Sequence, residues 1–312
     1  MRPTACSAGR CARRGACSAT AQLEPQRGGP PYPSRQNRGR AMRLFMCLGS
    51  LAVSTFFALA AAAGPAAQEA PPGAPDYKLK PGKSEPGRST RILIVTGQEH
   101  PAHKWQETAP VLAEELSNDP RLLVDVSEAA SILASPRVAD YSAIVLHLMN
   151  PKPLDLGPGG RENIRRYVDR GKGFMLVHFA CGAFQEWPEF RDLVGRVWDP
   201  KLRAHDPRGP FRVEIAALDH PITRGLKAFD ADDELYTCLA GDRPVEVLAT
   251  ARSKVDGKDY PMAFVYAPGK GRVFQCLLGH DVKAMRVAGV GELYRRGCAW
   301  AAGLPPEAQG AK

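Results

Sequence analysis

Three absences narrow the sequence before any motif is read. It has no C-x-x-C pair and no H-x-H or H-E-x-x-H spacing, so no single segment encodes a compact metal site. It has no internal repeat, so nothing in it reads as a stacked array. And it has almost no net charge once its front is set aside. Of the formal +9, residues 1–64 contribute +8 through nine arginines and one glutamate, leaving 33 basic against 32 acidic residues. A nucleic-acid partner would need a basic surface that the remaining chain does not supply.

Cysteine is similarly uninformative after that division. Cys6, Cys11, Cys17 and Cys47 lie in the front segment, and Cys181, Cys238, Cys276 and Cys298 are widely separated. Neither zinc nor a disulfide framework is indicated. An oxidising compartment would permit a bridge, but spacing does not choose the pairing.

Residues 1–41 are rich in Arg, Gly, Pro, Ser and Cys without apolar periodicity and cannot build a core. At Met42 the character changes. Arg43 precedes an apolar or small run from Leu44 to Ala63, which is the layout of a signal peptide over 42–64. The run approaches membrane-spanning length, but its alanine-rich end and polar sequel favour cleavage over a stable anchor. Export through a signal peptide starting near Met42 is therefore expected, with 1–41 a non-native leader or start-site artefact. Residues 65–90, with Pro71, Pro72, Pro75, Pro81 and Pro86, read as linker.

The folded domain is expected over 91–303, with 304–312 a tail. Apolar β-branched runs at Arg91–Thr96, Leu122–Val126, Ala143–Leu148 and Gly173–Val177 alternate with helical patterns at Trp105–Leu116 and Arg161–Arg170. Strands without an alternating polar face imply a parallel sheet covered on both sides. Phe211–Ala216 and Val245–Thr250 read as antiparallel or edge strands. Met262–Tyr266 and Arg272–Leu278 flank a Pro/Gly turn as a hairpin, and Gly291–Ala302 reads as a terminal helix. The class is α/β: a mainly parallel open sheet with helices on both faces and an antiparallel insertion.

In such sheets ligands bind beyond the carboxyl ends of the strands. Five of the seven histidines fall there: His100 and His103 after the first strand, His147 after the third, His178 after the fourth, and His280 after the late hairpin strand. A hydrogen-bonded structural role competes for any one of them, but the set points to a shared hollow. His178 stands where a buried strand bends into Phe179–Gly182, resembling a nucleophile elbow. Cys181 lies three residues later and reads most simply as a small buried side chain. In the run Asp232–Tyr236, the period of two in extended chain turns Glu234 and Tyr236 to one side, although a solvated acidic turn fits equally. His205 and His220 lie in the looser region and can fold over the crevice. His220 before Pro221 equally fits a rigid turn.

An ordered set of short motifs resembles the ThuA (trehalose-utilisation-like) family of the class I glutamine amidotransferase-like, flavodoxin-like fold. They are His103–Trp105, Gly173–His178, Gly195, Asp219–Thr223 with Gly225 and Leu226, Asp232–Tyr236, Gly269–Val273, Leu278–Asp281 and Trp300. The resemblance implies a small-molecule carbohydrate ligand, a disaccharide or an oxidised (3-keto) sugar. The amidotransferase G-x-C-x-G elbow is absent, since the elbow position here is His178, and this argues against amidotransferase chemistry.

The leading expectation is a sugar-processing enzyme. In it His178 or His280 is the general base, Glu234 or Asp281 orients it, and His103, Trp105, His147, His220 and Tyr236 bind the ligand. A divalent metal held by several imidazoles and Glu234 is a variant without support from spacing, and no cofactor is otherwise named. A non-catalytic sugar-binding module is the alternative. A cysteine-dependent amidotransferase or protease ranks last.

Overall fold

A computed structural model describes residues 77–83 and 87–307. The segments expected as leader (1–41) and signal peptide (42–64), most of the expected linker and the end of the expected tail lie outside the described residues. Contacts divide the chain into units 1–68 and 69–312, and every described residue belongs to the second. No helix among the described residues is long and apolar enough to cross a membrane.

The strands of the described residues form one ten-stranded sheet. Within the stretch read as linker, β1 (Leu79–Lys80) pairs antiparallel with a later strand. Then come β2 (Thr90–Val95), α1 (Trp105–Ser117), β3 (Leu122–Ser127), β4 (Ala143–Leu146), α2 (Gly160–Asp169) and β5 (Gly173–Val177). These strands pair in parallel, β3 and β4 flanking β2, with β5 beside β4. Each boundary lies within two residues of the sequence expectation, because long apolar runs closed by turns leave little freedom of assignment.

After α3 (Glu189–Val194) the chain builds β6 (Gly209–Ile215), β7 (Phe229–Asp233), β8 (Glu246–Arg252), β9 (Asp259–Tyr266) and β10 (Arg272–Cys276). The hairpin β9–β10 joins the two halves: β10 is parallel to β5, and β9 is antiparallel to β10 and β8. The full order is β1-β3-β2-β4-β5-β10-β9-β8-β6-β7. The antiparallel part thus extends the sheet rather than forming a separate layer. The chain closes with α4 (Val282–Met285) and α5 (Ala288–Ala301).

Alternation in the central strands assigns the two faces. Ile92, Ile94, Met175 and Val177 point to one side, against Leu112 and Leu116 of α1 and Leu293 and Tyr294 of α5. Leu93, Val95, Phe174 and Leu176 point to the other, against Ile164 and Val168 of α2 and Phe190 of α3. All eight strand side chains are at most 1% exposed, so each contributes roughly 1.5–3 kcal/mol of burial free energy. Helices on both faces leave the strand ends as the place for a polar site.

The packing of α5 on β5 is close enough to demand glycine. A Cβ at Gly173 would lie 2.2 Å from the carbonyl oxygen of Ala301 and 3.0 Å from Cβ of Ala143. Neither neighbour is a flexible side-chain end. Gly173→Ala is therefore expected to lower unfolding free energy by about 1–3 kcal/mol, read as an earlier urea midpoint with an unchanged slope. An unaltered midpoint would show that α5 sits farther from the sheet.

Candidate functional site

Three loops at the carboxyl ends of strands converge on a carboxylate carried by a fourth. His103 follows β2, His178 follows β5, His280 follows β10, and Glu234 follows β7. One ligating atom from each lies within 4.8 Å of the others.

His178 is held most rigidly. Its backbone has φ of +48°, a left-handed conformation that costs a non-glycine residue about 1–3 kcal/mol and that surrounding structure must enforce. This strained turn is the elbow expected from the sequence. The ring is fully buried, and its Nδ1–H donates to the carbonyl of Leu277 at 2.8 Å. A carbonyl can only accept, so Nε2 is left facing the cluster, 3.4 Å from Oε2 of Glu234. Tyr236 packs edge-on against the same ring at 5.0 Å.

His280 brings Nδ1 to 3.2 Å from the same Oε2, and His205 brings Nε2 to 3.7 Å from Oε1. The contacts of His178 and His280 are ion-pair distances without hydrogen-bond alignment. Burial opposes ionisation of Glu234, yet His178 and His280 together hold its carboxyl well below the usual carboxylate range. The carboxylate in turn raises His280, outweighing the opposing effect of burial. His103 stacks on Phe179 at 4.5 Å and meets His178 and His280 edge-on. Burial, reinforced by the neighbouring His178, pushes it down to about 2, so it is neutral.

Asp233 assembles the site from behind. Its buried carboxylate accepts the backbone N–H of Gly279 at 2.6 Å, of His280 at 3.2 Å and of Glu234 at 2.8 Å. One side chain therefore ties the end of β7 to the turn after β10. Gly279 has φ of +120°, and a Cβ there would meet the Tyr294 hydroxyl at 2.1 Å. That hydroxyl donates to Leu278 O at 2.7 Å, fixing the turn that presents His280. A bridge between His205 and Tyr236 lays the loop before β6 across the crevice, and Asp206 anchors it through Ser253 and the Lys254 amide.

The cluster opens into a hollow of about 180 Å³ lined by His100, His103, Phe179, Trp198, His205, Glu234 and Tyr236. A second hollow of about 300 Å³, lined by Phe184, Gln185, Trp187 and Asp199, shares Trp198 with the first as a lining residue.

Of the residues singled out from sequence, His103, His178, His280, Glu234 and Tyr236 come together. Four do not. His147 is fully buried, edge-on to Phe179 at 5.0 Å, with Nδ1 3.2 Å from Thr96 Oγ1. Trp105 turns its indole N–H to Glu99 at the start of α1. Asp281 pairs with Arg208 at 2.6 Å and caps α4 through the Ala284 amide. His220 receives the Ile222 amide and rests near Trp300. Asp233, Phe179 and Trp198 were missed. Only the adjacency of Asp233 to Glu234 offered a signal. Cys181 is fully buried and burial pushes its thiol up to about 12, so it is no ready thiolate, and the four described cysteines are free.

The sequence matches the family described as trehalose utilisation, ThuA, over residues 91–301. The chain belongs to the ThuA family. Its fold is shared with a ThuA-like protein from Parabacteroides merdae, 24% identical with a TM-score of 0.61, covering 71% of this chain and 93% of that one. A ThuA-like protein from Bacteroides uniformis is 20% identical with a TM-score of 0.57, covering 73% and 98%. A cytoplasmic protein from Salmonella typhimurium LT2 is 15% identical with a TM-score of 0.52, covering 68% and 99%. At these identities the likeness shows the fold. No match was found among curated proteins.

One pH dependence follows for this ThuA-family protein. Burial pushes His147 down to about 3 in the folded state. The unfolded chain takes up this proton near pH 6.5 and the folded chain does not. The His147 contribution to stability is therefore full above pH 6.5 and falls by about 1.4 kcal/mol per pH unit on acidification towards pH 3. Urea unfolding at pH 7 and pH 5 is expected to show this loss, with a smaller loss in His147→Gln. Equal losses in both proteins would mean that His147 is charged or exposed.

Proposed function

We propose that this protein is exported and that it binds and processes a carbohydrate, a disaccharide or a 3-keto-sugar derivative, by acid/base chemistry in the histidine-lined crevice. The observation that carries the reading is the convergence of His103, His178 and His280 on Glu234 beside an open hollow. Membership in a trehalose-utilisation family links the chain to sugars, and the signal-peptide layout of 42–64 supports export.

The chemistry follows from the ring positions. With Nδ1 committed to Leu277, Nε2 of His178 is the ring atom able to take a proton from a hydroxyl or from a carbon beside a keto group. His280, whose protonated form Glu234 favours, can return a proton to oxygen. Tyr236 keeps its phenol proton, because burial raises its pKa foremost, and so can donate a hydrogen bond. The faces of Phe179 and Trp198 suit the C–H surfaces of a sugar ring. Trp198 lines both hollows, and this shared wall supports a reading in which a second ring reaches past it.

Turnover of 3-keto-glucosides or trehalose derivatives by the mature protein is expected to fall about 10²–10⁴-fold in His178→Ala. A thiol-alkylating reagent is expected to leave it unchanged. Sugar binding without turnover in the wild type would overturn the enzymatic reading in favour of a binding module. In Trp198→Ala, KM for a disaccharide is expected to rise about tenfold, equivalent to about 1.4 kcal/mol, with little change for a monosaccharide. Equal effects on both would place the second ring elsewhere.

A further inference from the structure

We propose that His103, His178, His280 and Glu234 form a binding site for one divalent first-row transition-metal ion, zinc being the best matched. The inference rests on the same crevice as the proposed function but not on the identity of the sugar.

Three buried imidazole nitrogens in the cluster lack any hydrogen-bond partner among the described residues: Nδ1 of His103, Nε2 of His178 and Nδ1 of His280. Such atoms are normally satisfied, because leaving one unpaired costs about 1–3 kcal/mol. Here His103 and His178 are 5% and 0% exposed. The Nδ1–H of His178 is committed to Leu277, so a neutral ring turns a bare lone pair towards a carboxylate oxygen 3.4 Å away. Two lone pairs do not attract each other. A cation between them satisfies both.

Protons alone solve this less well. The three rings have centroids 4.9–5.5 Å apart, so charging all of them to answer one carboxylate places like charges in contact within a poorly solvated space. A single divalent ion meets three nitrogen lone pairs and one carboxylate at once. Imidazole donors favour zinc and its neighbours over magnesium or calcium, which prefer oxygen.

The surroundings are those of a supported site. A ligating histidine ordinarily gives its other N–H to a carbonyl or carboxylate, which fixes its tautomer, as His178 does with Leu277. Asp233 fixes the backbone of Glu234 and His280 together. With the ion bound, Nε2 of His178 and Nδ1 of His280 are committed to it, and the proton transfers assigned to them in the metal-free site pass to His205 and His100, which line the same hollow and stay outside the four-ligand set.

The test uses the mature protein stripped with a chelator, dialysed and titrated with Zn²⁺ by calorimetry and with Co²⁺ by visible absorption. One equivalent of each is expected to bind, and Co²⁺ should develop ligand-field bands of low coordination number. Glu234→Gln and His280→Ala should each weaken Zn²⁺ by more than about 100-fold, Asp233→Asn by about 10–100-fold, and His220→Gln not at all. Circular dichroism confirms that each variant is folded. No stoichiometric binding by the wild type, or equal weakening in His220→Gln, overturns the metal site. Sugar turnover that persists without any metal binding would sink this inference and leave the proposed function standing. Zinc binding without sugar turnover would do the reverse.

Discussion

Glu234 places a carboxylate where three parallel-strand ends and one antiparallel strand end come together, and the arrangement of the site follows from what that charge requires. Its oxygens face His178, His280 and His205 at 3.2–3.7 Å. Removing a carboxylate from water is costly unless it is met by positive charge or donors. Three rings face it, and the geometry that gathers them is built elsewhere in the fold. The strained turn at His178, the Asp233 link to the turn after β10 and the Tyr294 bond to Leu278 each fix one wall.

This division of labour explains why one sheet carries two kinds of strand. The parallel strands β2, β4, β5 and β10 bring histidines to a common edge, as expected for chains that leave a sheet with helices on both faces. The acids on their loops are engaged elsewhere, Glu99 with Trp105 and Asp281 with Arg208 and the start of α4. The antiparallel extension supplies the carboxylate: β7 ends in Asp233, whose side chain reaches back to the β10 turn so that Glu234 arrives over the cluster. The extension also provides Trp198, His205 and Tyr236 as the crevice wall.

Much of the first half was legible in the sequence. Continuous apolar runs such as Ile92–Val95 and Phe174–Val177 suit a strand buried on both faces, and the loop leaving such a strand starts where the sheet places it. That is why His103, His178 and His280 could be grouped. His147 obeyed the same rule but failed to join them, because its ring is buried against Phe179 with Nδ1 on Thr96, and side-chain direction beyond a strand end is decided by packing that no periodicity records. The second half was harder. β7, with the sequence Phe-Asp-Ala-Asp-Asp, has neither apolar continuity nor β-branched residues, and only pairing with β6 makes it a strand. Asp281 looked like a partner for its neighbour His280, yet the start of α4 claims it as a cap. Asp233 resembled one more acid in a solvated run, and its role depends on backbone amides more than 40 positions away.

The central claim is that one carboxylate organises imidazoles from separate strand ends. Nitrogen-15 NMR of the histidine rings, compared between wild type and Glu234→Gln, tests it directly. The expected result is a concerted shift of the ring nitrogens of His178, His280 and His205, with His178 keeping its proton on Nδ1, while His147 and His220 stay unchanged. A change confined to one ring, or spread over all seven, would contradict it.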